Sequence, residues 1–361
     1  VSVQRRVFLH VGCPKTGTTF LQSTLWRSRD RLLSAGFELP VDRASHFQLA
    51  LAVRQQLIPD VDSPRALTAV DRMTEALRSS TSSIVVSNEM LAGASREQAD
   101  GVHRLLGETV GDAETHLVIT ARDLARQVPA EWQQQIQHRR TISWSDFLES
   151  LVHGGDDTAY FLPAQDASDV ARRWTDSLPP DRVHVVTVPR PSGPREQLLT
   201  RFCGVLGVDS ELLSAATAVP NESLGLVAVE LLRRVNVALG DRLPHPRSGY
   251  GRVGKRYFAQ QVLAPLGGDR PTVPAQLRSW CLEQSDRIIE TIAAAGYDVV
   301  GDLEELRPDF DSEPAPVPDV GDAEIAAYAI EALADLLEQR HQDLRLIDDL
   351  RARLKSPRGP G

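Results

Sequence analysis

The spacing of apolar residues along the chain switches repeatedly between strand and helix periods. Val7 to Val11 is a short valine-rich run that breaks at Gly12 and Pro14, and helical spacing resumes from about Thr18. Phe20, Leu21, Leu25, Leu32 and Leu33 predict a helix over Thr19–Leu33, ended by Gly36 and Pro40. Helices are also expected over His46–Val53, after Ser45, and over Pro64–Leu77, where Leu67, Val70, Met73 and Leu77 share a face. Ile84–Glu89 reads as a strand with a polar end, Arg96–Leu106 as a helix, and Thr115–Asp123 as a third strand. A long helix over Leu124–Gln137 and a fourth strand over Arg182–Val188, closed by Pro189, Pro191 and Gly193, complete the series. Strands alternating with helices predict an α/β fold of three layers, a central parallel sheet flanked by helices. Such sheets bind ligands beyond the carboxyl ends of their strands. Gly12–Thr19, Ser87–Glu89, Arg122 and Val188 therefore fall on one rim.

The rest of the chain reads as mainly helical. Trp144–Val152 and Asp166–Trp174 flank a Gly154–Asp157 turn, and Glu196–Leu206, Leu224–Leu239 and Gln276–Ala295 have helical spacing. Gly249–Arg256 is a glycine-rich basic loop. Asp309–Gly321 is acidic and rich in proline, as linkers are. Beyond it lies a charged helix from Asp322, in which Leu333, Leu337, Leu344, Ile347 and Leu354 form an a/d stripe interrupted by Arg340 and Arg351. That stripe suits a homodimer seam, a docking helix, or a helix lying on its own domain. The expected organisation is an α/β domain over 1–308, a linker over 309–321 and a helix over 322–355.

Composition narrows the function classes. A chain of 361 residues with a net charge of −9 argues against nucleic acid or an anionic membrane as partner. Cys13, Cys203 and Cys281 lack metal-ligand or CxxC spacing, which fits a reduced, cytoplasmic protein and no metal. No apolar run approaches the roughly 20 residues of a membrane span, and the N-terminal stretch lacks a signal-peptide apolar core. Basic residues are almost all arginine, with lysine only at 15, 255 and 355. One of those three stands inside the first glycine loop, where a compact ammonium on a flexible stem can follow an anionic oxygen.

Strand, glycine loop and helix N-terminus together hold phosphates, because the free N–H groups and the helix dipole point at the ligand. Gly12 and Gly17 have the spacing of a Walker A loop, but Thr18 follows Gly17 where that motif has its lysine. The second strand ends Ser87-Asn88-Glu89, without the aspartate that follows an apolar run in metal-assisted NTPases. The loop can bind a phosphate while lacking that apparatus, so a P-loop kinase or NTPase is the rival reading.

Gly12-Cys13-Pro14-Lys15-Thr16-Gly17-Thr18-Thr19, followed by Phe20-Leu21, resembles the 5′-phosphosulfate loop of the sulfotransferase family. The resemblance runs from Val7 to about Gly207 and is closest to bacterial, actinobacterial-type members. It implies a P-loop-like fold and 3′-phosphoadenosine 5′-phosphosulfate as co-substrate, with transfer of a sulfuryl group to a hydroxyl or amine of a small molecule or glycan and no metal. Pro14, Lys15, Thr16, Gly17, Thr18 and Thr19 would hold the 5′-phosphate, with Lys15 bridging the leaving phosphate and the sulfuryl group. Arg122 matches the family's strand-end arginine for the 3′-phosphate. The serine that should follow is absent: Gln127, Val128, Pro129 and Ala130 occupy that turn, so either Gln127 substitutes as a donor or the phosphate is held differently. Arg252, in the basic loop, would cover the same phosphate. The base is expected at Glu89, with His46 and then Glu38 as alternatives. Trp132, Trp144, Tyr160, Phe161 and Trp174 are acceptor-wall or core residues. A non-catalytic sulfotransferase-like module, assembling through its C-terminal helix, is a further rival.

Overall fold

The valine-rich runs form the sheet. In the computed structural model, which describes residues 4–175, 178–194, 196–213, 223–243, 249–310 and 320–355, six strands pair in parallel in the order β2-β3-β1-β4-β5-β6. They are β1 (Arg6–His10), β2 (Phe37–Glu38), β3 (Ser83–Ser87), β4 (Glu114–Ala121), β5 (Val183–Thr187) and β6 (Asp298–Val300). Both faces of this sheet are covered, so β1, β3 and β5 are buried along nearly their whole length rather than on alternate residues. The two outermost strands, β2 and β6, have two and three residues, too few to leave a periodic signal.

Chain contacts divide the molecule into two units. The first comprises 1–132, 144–220 and 272–317 and contains the sheet. On one face Phe8, Val85, Val118 and Val186 pack with Leu21, Leu25 and Phe202 as a continuous core. Burying each such side chain contributes roughly 1.5–3 kcal/mol. Trp132, Trp144, Phe161 and Trp174 are also buried, so of the five wall candidates only Tyr160 is exposed. The helix expected over Thr19–Leu33 is two: α1 (Thr18–Arg27) and a short one from Arg29 to Ser34, separated at Ser28. The long helix α2 (Leu124–Gln137) follows β4 as expected.

The second unit comprises 133–143, 221–271 and 318–361, so the units do not follow the expected boundary at residue 308. It holds α3 (Leu226–Leu239), a π-helix over Gly251–Leu263 and α4 (Asp322–Lys355). The π-helix corrects the expected basic loop. Gly254 lies against the ring of buried Tyr250, where a side chain would overlap it, and the Tyr250 hydroxyl donates to Asn236 Oδ1 at 2.6 Å. Gly254 thus serves close packing rather than loop freedom. On α4, Ile325 and Ala332 are buried, whereas Leu333, Leu337 and Leu344 of the expected stripe are exposed and Ile347 is half-buried. The helix thus packs on its own unit by one face and presents the stripe on another. The side chain of Leu354 and linker residues 311–319 lie outside the described residues. The beginning of the expected linker is held: Asp309 accepts from Arg190 at 2.7 Å, and the Arg278 guanidinium sits 4.8 Å from the centroid of Phe310.

Candidate functional site

Strand order builds the site. β1 lies between β3 and β4, so the loop leaving β1 is flanked by the residues that follow those two strands, Asn88-Glu89 on one side and Arg122 on the other. The expected rim is present. The β1–β4 ladder continues past the strand end, with Val11 N–H on Val118 C=O and Cys13 N–H on Thr120 C=O, each at 3.0 Å. That fixes where the loop begins to turn.

A buried polar relay fastens the loop from below. Thr16 Oγ1 donates to Cys13 C=O at 2.5 Å, which leaves it to accept from Thr120 Oγ1 at 2.6 Å. Thr120 must then accept from His10 Nε2 at 3.3 Å, and His10 Nδ1 accepts from Ser87 Oγ at 2.8 Å. Because a carbonyl only accepts, the whole chain has one direction and His10 carries its proton on Nε2. Burial pushes His10 down to about 3, so the ring is neutral. Gly12 passes directly over this relay: a Cβ there would overlap Thr120 Oγ1 and come within 2.6 Å of His10 Nε2.

Lys15 sits at the crest with φ 67°, and Gly17 caps α1 with φ 83°. A left-handed lysine costs roughly 1–2 kcal/mol, and such strain concentrates where a side chain must be aimed. No side chain caps the N-terminus of α1 and no acid stands in its first turn, so its N–H groups and dipole remain open to an anion. Thr16 and Thr18 are buried, Pro14 and Gly17 half-buried, and Thr19 exposed. Lys15 makes no hydrogen bond or ion pair among the described residues, and burial holds its ammonium below the usual lysine range. Of the nearby charges, Glu131 and, more weakly, Glu89 oppose that shift, while Arg122 adds to it.

Glu89 opens a short 3₁₀ helix (Glu89–Gly93) after β3; it is half-buried and accepts from Gln22 Nε2 at 2.8 Å. Arg122 donates to Arg126 C=O at 2.8 Å, while its buried Nε has no partner among the described residues. Desolvation, with Arg126 nearby, lowers Arg122 to about 10, which leaves it cationic at neutral pH. A buried guanidinium N–H without an acceptor can still donate a hydrogen bond.

Two expected site residues and both alternative bases read differently. His46 is buried with both ring nitrogens engaged: Nε2 on Pro40 C=O at 2.9 Å, and Nδ1 accepting Ser87 N–H at 3.2 Å. It braces β3 and has no nitrogen for a substrate. Glu38 lies in β2 level with Ile84, near the start of β3 and away from the rim. Gln127 is not a phosphate donor. Its amide nitrogen is used on Gln165 Oε1 at 2.6 Å and lies 3.5 Å from Pro14 C=O, so its unpartnered atom is Oε1, an acceptor. Arg252 stands exposed on the π-helix of the second unit.

The sequence reading missed Glu131, one position beyond Ala130. It is 4% exposed, accepts from Tyr160 Oη at 3.0 Å and from Gln165 Nε2 at 3.4 Å, and follows Gln127 by one helical turn. The i, i+4 pair Gln127/Glu131 on α2 was its only signal. His10 and Thr120 were missed as well, each a polar residue inside an otherwise apolar strand. Among the described residues, no group of three His, Cys, Asp or Glu could hold a metal ion, and no helix is long and apolar enough to cross a membrane.

No family model matches the chain, and no curated protein matches it. Among solved structures, a sulfotransferase from Alicyclobacillus acidocaldarius is similar at 15% identity and a TM-score of 0.39, over 65% of this chain and 95% of that one. A likeness at that level carries no argument about activity. The parallel sheet and the chemistry of the loop have to carry it.

Proposed function

We propose that this chain is a sulfotransferase that moves a sulfuryl group from 3′-phosphoadenosine 5′-phosphosulfate to a hydroxyl or amine of a small-molecule or glycan acceptor. The observation that carries the reading is Lys15: a left-handed, half-buried lysine without a direct partner, inside the loop rather than after Gly17, over an uncapped helix N-terminus. The donor supplies an activated sulfuryl group and a bisphosphate leaving group. The N–H groups opening α1 and the hydroxyls of Thr18 and Thr19 would bind its 5′-phosphate. Lys15 would place its ammonium where charge gathers as the S–O bond breaks, which lowers the barrier because that charge is largest in the transition state. The unpartnered Nε of Arg122 suits the 3′-phosphate, with no serine required. Glu89 is the base that fits: it is half-buried, at the rim, and engaged by one donor among the described residues. The three cysteines are free and buried, which supports a reducing compartment.

Turnover of labelled donor against a panel of alcohols, phenols, sugars and amines tests the reading. Glu89→Gln is expected to lower kcat by about 10²-fold or more while binding of adenosine 3′,5′-bisphosphate persists. Stabilisation by ATP with magnesium exceeding that by the bisphosphate would favour a kinase or NTPase. Donor binding without transfer to any acceptor would favour a binding module.

A further inference from the structure

The site contains a carboxylate that neither anion binding nor proton abstraction uses. Glu131 is sealed from solvent, and two donors, Tyr160 Oη and Gln165 Nε2, hold it in place. An acceptor hydroxyl could not reach it, so it is not a second base. Its placement is nonetheless tied to the loop. Ionised, it accepts only, which forces Gln165 to turn its NH₂ toward Glu131 and its Oε1 toward Gln127. Gln127 must then turn its own NH₂ to Gln165, which lies within reach of the carbonyl of Pro14, the residue before Lys15. A continuous polar path therefore joins the Glu131 carboxylate to the backbone that carries Lys15.

We propose that Glu131 is a positioning residue for Lys15, a buried countercharge that holds the ammonium in the loop until an anionic ligand takes its place. The inference rests on Lys15 being the group that meets the ligand's anion. Lys15 has no ion pair among the described residues, and a desolvated ammonium needs a nearby negative charge to remain protonated. Glu131 opposes deprotonation more strongly than Glu89 does, and Arg122 works against both. Glu89 is thereby left for the acceptor. With an anion bound, the attraction of Glu131 for Lys15 is outweighed, and the ammonium is handed over without a proton changing place.

The test uses the scarcity of lysine. Protein labelled with ¹³C-lysine contains three Cε signals, from Lys15, Lys255 and Lys355, and the Lys15 signal is the one missing in Lys15→Arg. Its titration midpoint is expected to fall by about one pH unit or more in Glu131→Gln and by less in Glu89→Gln. Should Glu131→Gln fail to fold, Glu131→Asp, which draws the charge back by one methylene, is expected to lower the midpoint by a smaller amount. A Glu131 variant that is folded and leaves the midpoint unchanged overturns the proposal, as does a larger fall in Glu89→Gln. The titration needs no nucleotide, so its failure is distinguishable from failure of the bisphosphate to bind.

Discussion

Gly12→Ala is expected to weaken anion binding by the loop at least about tenfold and to destabilise the fold by about 1–3 kcal/mol. The cause is local. The new methyl group would overlap Thr120 Oγ1 and crowd His10 Nε2, and both side chains are fully buried. Moving Thr120 breaks the relay at its middle, releasing Thr16 and with it the turn that aims Lys15. The control is Gly107→Ala in the helix Arg96–Val110, where a Cβ meets nothing within 4 Å. There the substitution should stabilise by about 0.5–1 kcal/mol, since glycine is the poorer helix former. Thermal melts of both variants with bisphosphate titrations check the pair; equal effects at the two sites would show that the crowding at Gly12 is absorbed.

The second large effect concerns acid. His10 is neutral in the fold, its folded value depressed from 6.5 to about 3 by burial. Once unfolded it gains a proton below 6.5, so the unfolded state binds more protons throughout the interval between those values. Its contribution is therefore full above pH 6.5 and is lost as pH falls toward 3, at about 1.4 kcal/mol per pH unit. Between pH 7 and pH 4.5 the loss from this one group should be about 3 kcal/mol. His116, lowered to about 4 by burial and by neighbouring His184, acts in the same direction. Urea unfolding of wild type and His10→Gln at the two pH values checks the account. The variant should start less stable and lose less on acidification; an equal loss would assign the acid sensitivity elsewhere.

Legibility in the sequence followed element length and burial. β1, β3, β4 and β5 have five to eight residues of mostly apolar sequence, enough to read, and their parallel order placed Lys15, Glu89 and Arg122 on one rim. Phe37–Glu38 and Asp298–Val300 are strands only because a neighbour pairs with them. Glycines at 249, 251 and 254 signalled a loop, whereas Gly254 is small so that the Tyr250 ring can lie against it inside a π-helix. His46 stood at a helix start and resembled a base, but its two nitrogens are spent on backbone groups from separate segments, a pairing no spacing rule reveals. Glu131 is illegible for the opposite reason: nothing in its helical spacing beyond the pair with Gln127 marks it, and a glutamate in a helix ordinarily faces water. Local pattern revealed the phosphate loop, and only tertiary contacts revealed what steadies it.

The central claim is that Lys15, in its displaced position, serves a phosphosulfate-type nucleotide rather than ATP. Calorimetric titration of wild type and Lys15→Ala with adenosine 3′,5′-bisphosphate, beside ATP with magnesium, tests it most directly. Saturable metal-independent binding of the bisphosphate, weakened at least about 30-fold in Lys15→Ala and tighter than binding of ATP, is the result predicted. No bisphosphate binding by folded wild type, or binding that Lys15→Ala leaves unchanged, would contradict it.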